Sequence, residues 1–341
     1  MTKLITFNEA LADARDNSDE MAVLLGNGFS IEFAPQVFSY DALAKEASLD
    51  ALSVDKDELF AALNSNNFEV VIDKLKAGAA LARLYPGDVG NADVMEADAK
   101  VVRHGLADVL ADRHPLTALA LTDEEVLRAR TFLSNFTRIY TLNYDLLLYW
   151  VLNRERGPHV NRADGFEWPT AQRSTRYVWK SKPARPQRVF YLHGALHLFR
   201  HDKKLEKLTY WNDGPLIEKL RERLEQGKYP HIVTEGKREE KESRIDKSGY
   251  LRTGLRRFGE LRGALFIHGS SMSPNDAHIF ELIEADSSEI DALYIGLQST
   301  TTKSARSVIA RAKEIKEERR VNGGGELRIH FYDSATAHVW R

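Results

Sequence analysis

Leu24-Leu25-Gly26-Asn27-Gly28-Phe29-Ser30 decides how this chain is read. An apolar run, Met21–Leu25, breaks into two glycines with one residue between them, and a serine follows at once. The pattern predicts a buried parallel strand turning into a helix. Glycine lets the backbone come close to a ligand, and N–H groups freed at a helix start point at an anion. An ordinary tight turn has the same composition, so the weight of this stretch depends on what the other strand ends carry.

Working outward, short apolar runs recur at Arg138–Leu142, Arg188–Leu192, Ala264–His268, Ala292–Leu297 and Leu327–Tyr332. Their near-continuous apolar character predicts strands covered on both faces. Segments with helical spacing lie between them, such as Val308–Ile315 with Lys/Glu pairs on its outer face. The alternation predicts an α/β fold: a doubly wound, Rossmann-like parallel sheet of about six strands with large helical insertions. The chain reads as one domain over residues 1–341. A helical insertion spans about 39–135 and a second insertion about 196–262. The second opens with aromatic residues, Phe199, Tyr210 and Trp211. Its middle, Lys237-Arg238-Glu239-Glu240-Lys241-Glu242, reads as a solvated helix face.

Composition bounds the class. In 341 residues the hydrophobic share is 43% and the charged share 29%, which suits a globular chain with a sizeable core. A formal net charge of -2 gives no global drive toward nucleic acid or anionic membrane. Arg252, Arg256, Arg257 and Arg262 form a local basic face, which reads as solvated, so direct nucleic-acid binding is not expected. No apolar run is long enough for a membrane span, and the N-terminus lacks the apolar core of a signal peptide, so a cytoplasmic location is expected. There is no cysteine, which excludes disulfides, thiolate–zinc sites and cysteine nucleophiles.

Polar residues cluster where the strands end. The second strand runs into Asn143-Tyr144-Asp145, an amide and a carboxylate at the edge where open α/β sheets bind ligands. Helix capping explains both residues equally well. The third strand ends in His193-Gly194; the imidazole can exchange a proton near neutrality, and the glycine leaves room for a ligand. A loop histidine bonded to backbone is the plainer alternative. His197 and His201 follow at intervals of four, but no nearby acid completes a metal set, so no metal is expected. The fourth strand ends in Gly269-Ser270-Ser271, repeating the logic of the first turn. Ser273-Pro274 then reads as a helix start, and Asp276 and His278 as ordinary first-turn and surface residues.

Taken together, these four strand ends resemble the sirtuin superfamily. Gly26-Asn27-Gly28-Phe29-Ser30 is similar to the sirtuin Gly-Ala-Gly-x-Ser turn, and Thr141-Leu142-Asn143-Tyr144-Asp145 to its Thr-Gln-Asn-Ile-Asp segment. His193-Gly194 resembles the sirtuin His-Gly, and Gly269-Ser270-Ser271 its Gly-Thr-Ser. The order along the chain is the same. The departures are Leu142 in place of glutamine and an interval between His193 and Gly269 without the four cysteines of the sirtuin zinc ribbon. The insertions and the form Asn-Tyr-Asp resemble bacterial sirtuin-like proteins of antiphage defence. His231–Lys237 through Ser248–Leu251 resembles one bacterial branch more loosely.

The resemblance implies an NAD+ hydrolase, with NAD+ as substrate and no metal. It implies pyrophosphate on the backbone of Gly26, Asn27, Gly28 and Phe29 and on Ser30, with Gly269 and Ser270 on the adenosine side. Asn143 would orient water and the ribose hydroxyls, His193 would act as general base, and Asp145 would bond the nicotinamide amide. Such effectors form homo-oligomers or work with a separate ATPase or sensor, so either partner is expected. A non-catalytic sensor of NAD+ or ADP-ribose and an NAD+-dependent protein deacylase are the alternatives. A dehydrogenase fits least, because Ile31 stands where the dinucleotide fingerprint needs a third glycine or alanine.

Overall fold

Among the described residues, ten strands form two sheets. They are β1 (Met21–Leu25), β2 (Arg138–Thr141), β3 (Phe166–Glu167), β4 (Tyr177–Trp179), β5 (Val189–Tyr191), β6 (Leu198–His201), β7 (Lys204–Lys207), β8 (Arg262–His268), β9 (Glu289–Leu297) and β10 (Arg328–Asp333). The computed structural model describes residues 3–85, 87–168, 176–210, 214–234 and 238–341. Trp211 and residues 235–237, singled out above, lie outside them.

Six strands make one parallel sheet in the order β10-β9-β8-β1-β2-β5. From the β5 edge, its strands run third, second, first, fourth, fifth, sixth in chain order, the Rossmann-type arrangement. Winding reverses between β1 and β8, so a crevice opens beyond their carboxyl ends. Register brings the other ends to the same level: Leu25 lies opposite Thr141 and His268, and Thr141 opposite Tyr191. Gly26, Leu142, Leu192 and Gly269 therefore leave the sheet together.

Strand alternation explains the apolar runs. Val23, Leu25, Phe266 and Tyr294 point into one core, while Ala22, Leu24, Leu265, Ile267 and Leu293 point into another. Helix Lys303–Val321, capped by Thr302, covers the second face with Val308, Ala312 and Ile315. The first face is covered by helices of the first insertion. Phe68–Ala82 and Val89–Arg113 pack together, and Asp123–Leu133 starts in a capping box between Thr122 and Glu125.

The second sheet departs from the sequence reading. β3, β4, β7 and β6 pair antiparallel, in that order. The second insertion thus opens with a hairpin, turning at Asp202 (φ 53°), before its helices Leu216–Glu225, Arg238–Asp246 and Gly249–Gly259. β3 has two residues and β4 three, too short for a local pattern, and they gain their partner from a distant segment. The chain's last turn also returns to the first: Trp340 Nε1 donates to Phe29 O (2.7 Å). No helix among the described residues is long and apolar enough to cross a membrane.

Candidate functional site

The first turn is shaped by a second chain segment. A Cβ on Gly26 would lie 2.5 Å from Ser270 Cα, and one on Gly28 would lie 2.6 Å from Gly269 Cα. Gly269 itself has φ +71°. The glycines thus let the β1 and β8 turns touch, with Gly28 N–H donating to Gly269 O (2.7 Å) and Gly26 N–H to His268 O (2.9 Å). This corrects the expectation of freed donors. The N–H groups of Phe29 and Ser30 are also taken, by Gly26 O and Asn27 O (both 3.0 Å). The Phe29 ring packs on Trp340 and is buried, so it belongs to the core and not to the cleft lining. Asn27 lines the cleft and ties the turn to Phe38 O through Nδ2 (3.2 Å).

Ser30 is corrected in the same way. Fully buried, its hydroxyl donates to Asp145 Oδ2 (2.5 Å) and accepts from Asn143 Nδ2 (3.0 Å). Asp145 Oδ1 accepts from Leu147 N–H (2.9 Å), the first N–H of helix Leu147–Asn153, and Asp145 also lines the cleft. Burial pushes the Asp145 carboxyl up, against the hydrogen bonds from Ser30 and Leu147. The result is a directed chain, Asn143 to Ser30 to Asp145. It fixes the Asn143 amide with Nδ2 turned inward, and Oδ1 has no partner among the described residues. His114, from the first insertion, supports this loop by accepting Leu146 N–H at Nε2 (3.0 Å).

His193 lines the cleft but is only 2% exposed. Burial, aided by the Lys241 ammonium, pushes its imidazole down to about 3. Burial thus favours its neutral form. Its Nε2 lies 3.3 Å from His278 Nε2 and 3.8 Å from Asp276 Oδ1. Gly194 does not make room for a ligand. A Cβ there would lie 1.8 Å from His231 O, because the second insertion runs against it and Val233 N–H donates to His193 O (2.9 Å).

Beyond β8, Ser273 caps the 3-10 turn Pro274–Asp276, as its sequence suggests. Asp276 and His278 are not ordinary surface residues. Asp276 lines the cleft, and its Oδ1 takes Lys241 Nζ (3.2 Å). Lys241 Nζ also reaches Glu69 Oε2 (2.9 Å), and the Tyr144 hydroxyl donates toward Glu69 Oε1 (2.5 Å). The charge run of the second insertion is thus no purely solvated face: Lys241 is fully buried. Burial pulls its ammonium down, and the two carboxylates outweigh this and leave it raised.

Glu69, Asn143, Tyr144, Asp145, His193 and Asp276 line one cleft of about 540 Å³ with Gly26, Gly28, Gly269 and Ser270. Its charged lining consists of the carboxylates Glu32, Glu69, Asp145 and Asp276, with no Lys or Arg among the described lining residues. No group of three or more His, Asp or Glu among the described residues is placed to hold a metal ion. His197 is buried between Tyr149 and Tyr191, whereas His201 is exposed beside Glu206. On the basic face, Arg256 and Arg257 bond Glu260, Arg262 pairs with Glu289, and Arg252 caps Asp246 O.

Sequence reasoning missed Glu69, Tyr144 and Lys241 as site residues. The available signal was small: Asn67-Phe68-Glu69 reads as a helix start, and Lys241 as one charge among many. The fold and cleft define a doubly wound α/β protein with a polar site at its switch point. Residues 23–340 match the family model described as a domain of unknown function (DUF4917), and the chain belongs to that family. No curated protein gives a significant match to the chain.

Proposed function

We propose that the chain is an NAD+ hydrolase, releasing nicotinamide and ADP-ribose. One observation carries the reading: Asn143 and His193 line the same cleft as the Gly26–Gly28 and Gly269–Ser270 backbones, at the switch point of a Rossmann-type sheet. The cleft volume, about 540 Å³, suits a small-molecule site. The resemblance of the four strand ends to sirtuins supplies the dinucleotide.

In the reaction the C1′–N bond breaks and its electron pair leaves with the nicotinamide ring, which becomes neutral. The oxygen of a water bonds C1′. The barrier lies in an oxocarbenium-like ribose, which the cleft's excess of carboxylates favours. Asn143 holds its carbonyl oxygen toward the water or a ribose hydroxyl, while Ser30 and Asp145 act on Asn143 and not on the ligand. His193 contributes a neutral hydrogen-bonding ring. The likeness to antiphage effectors supports NAD+ depletion in infected cells, restrained by self-assembly or by a partner ATPase or sensor.

Incubation of the purified chain with NAD+, with free nicotinamide followed by chromatography, tests the reading. Asn143→Ala is expected to slow release by about 100-fold. Undiminished release in this variant overturns it. The burial of His193 favours a second reading, a non-catalytic sensor of NAD+ or ADP-ribose. Tight binding with no product separates the two.

A further inference from the structure

We propose that Asp276 is the general base of this cleft, held for that role by Lys241. The inference rests on the NAD+ hydrolysis proposed above and identifies the group that receives the water's proton. As the C1′–N bond breaks and its pair leaves with nicotinamide, the water oxygen bonds C1′. One of its protons passes to the Asp276 carboxylate and later returns to solvent, leaving neutral nicotinamide and ADP-ribose.

The geometry selects Asp276 over its neighbours. Both Glu69 oxygens are engaged, Oε1 by the Tyr144 hydroxyl and Oε2 by Lys241. Both Asp145 oxygens are engaged too, by Ser30 and by the Leu147 N–H. Asp276 gives only Oδ1 to Lys241, and Oδ2 has no hydrogen-bond partner among the described residues. Asp276 is also more open than these two, with 17% of its side chain exposed against 9% for Glu69. Its Oδ1 lies 3.8 Å from His193 Nε2, the His193 ring lies 6.4 Å from that of Tyr144, and Asp276 lines the same cleft as Asn143. His193 is closed off from solvent, 2% exposed, with Nε2 facing His278 Nε2 at 3.3 Å.

Lys241 is a positioning residue. It reaches Asp276 from helix Arg238–Asp246 of the second insertion and anchors on Glu69, from helix Phe68–Ala82 of the first. Tyr40 also faces the two carboxylates, which together with burial raise its hydroxyl. The base is therefore assembled only when both insertions close on the sheet edge.

The test compares Asp276→Asn with the wild-type full chain. Nicotinamide release is expected to fall about 100- to 10,000-fold, the usual yield of a general base. ADP-ribose affinity by calorimetry should stay within about threefold. Azide attacks C1′ without losing a proton, so it should restore release in Asp276→Asn by about tenfold or more and leave Asn143→Ala slow. Asp276→Asn turning over like wild type overturns the inference, and so does a slow variant that binds ADP-ribose normally and ignores azide. Wild-type protein that binds NAD+ and frees no nicotinamide removes the hydrolase reading, and this inference with it.

Discussion

In the first turns after β1 and β8 the site is made of backbone, whereas beyond β2, β5 and the β8 turn it is made of side chains, two of which, Glu69 and Lys241, come from the insertions. The first region needs glycine at three places because two turns distant in sequence touch backbone to backbone. The second needs Glu69, Lys241 and Asp276, separated by 172 and 35 residues along the chain, to meet at 2.9 and 3.2 Å. A backbone site tolerates little change of residue but few residues matter. A side-chain site depends on every element that carries a member, so its stability and its chemistry are coupled.

Acid should separate the two regions most strongly. His193, His197 and His231 lie at or beside the β5 end, and His114 supports the Asn143 loop. Burial pushes all four down, His193 to about 3 and His114 and His231 to about 4. Their unfolded value is 6.5, so below it the unfolded chain binds more protons and stability falls. Stability is thus whole above about pH 6.5 and is lost progressively as the pH drops toward 4, at about 1.4 kcal/mol per proton per pH unit. Denaturant titrations at several pH values check this. A flat profile between pH 7 and about 5 removes the claim of buried neutral histidines.

Gly194→Ala comes next. Its Cβ would meet a carbonyl oxygen at 1.8 Å at φ +78°, so the second insertion must detach from β5. A loss of about 4–5 kcal/mol is expected from chemical denaturation, with β1 and β8 unaffected in hydrogen exchange. A smaller expected effect is that of Lys241→Met, which leaves two carboxylates facing each other without their cation, at a cost of about 3–5 kcal/mol. Adding Glu69→Gln and Asp276→Asn should recover most of that stability without recovering turnover. Recovery of both would erase the distinction between the two halves of the cleft.

Much of the sheet was legible because a strand buried on both faces must be apolar at nearly every position, as in Met21–Leu25 and Ala264–His268. The second sheet was not, since β3 and β4 show too few residues for a period. Among the site residues, Asn143 and His193 could be read because they follow strands directly. Ser30 and Asp145 were found for the wrong reason: they hold Asn143, and their hydrogen bonds are spent on each other. Gly194 was likewise found, but it yields to backbone and not to a ligand.

By itself, the amino-acid order determined what each short segment could do: end a strand, turn, or cap a helix. Those outcomes follow from local sterics and from the periodic burial of apolar side chains. Only the folded chain decided which charges lost their water. Lys241 looks like any other lysine of a charged helix until Glu69 and Asp276 enclose it, because desolvation and pairing depend on distances between segments that no stretch of sequence contains.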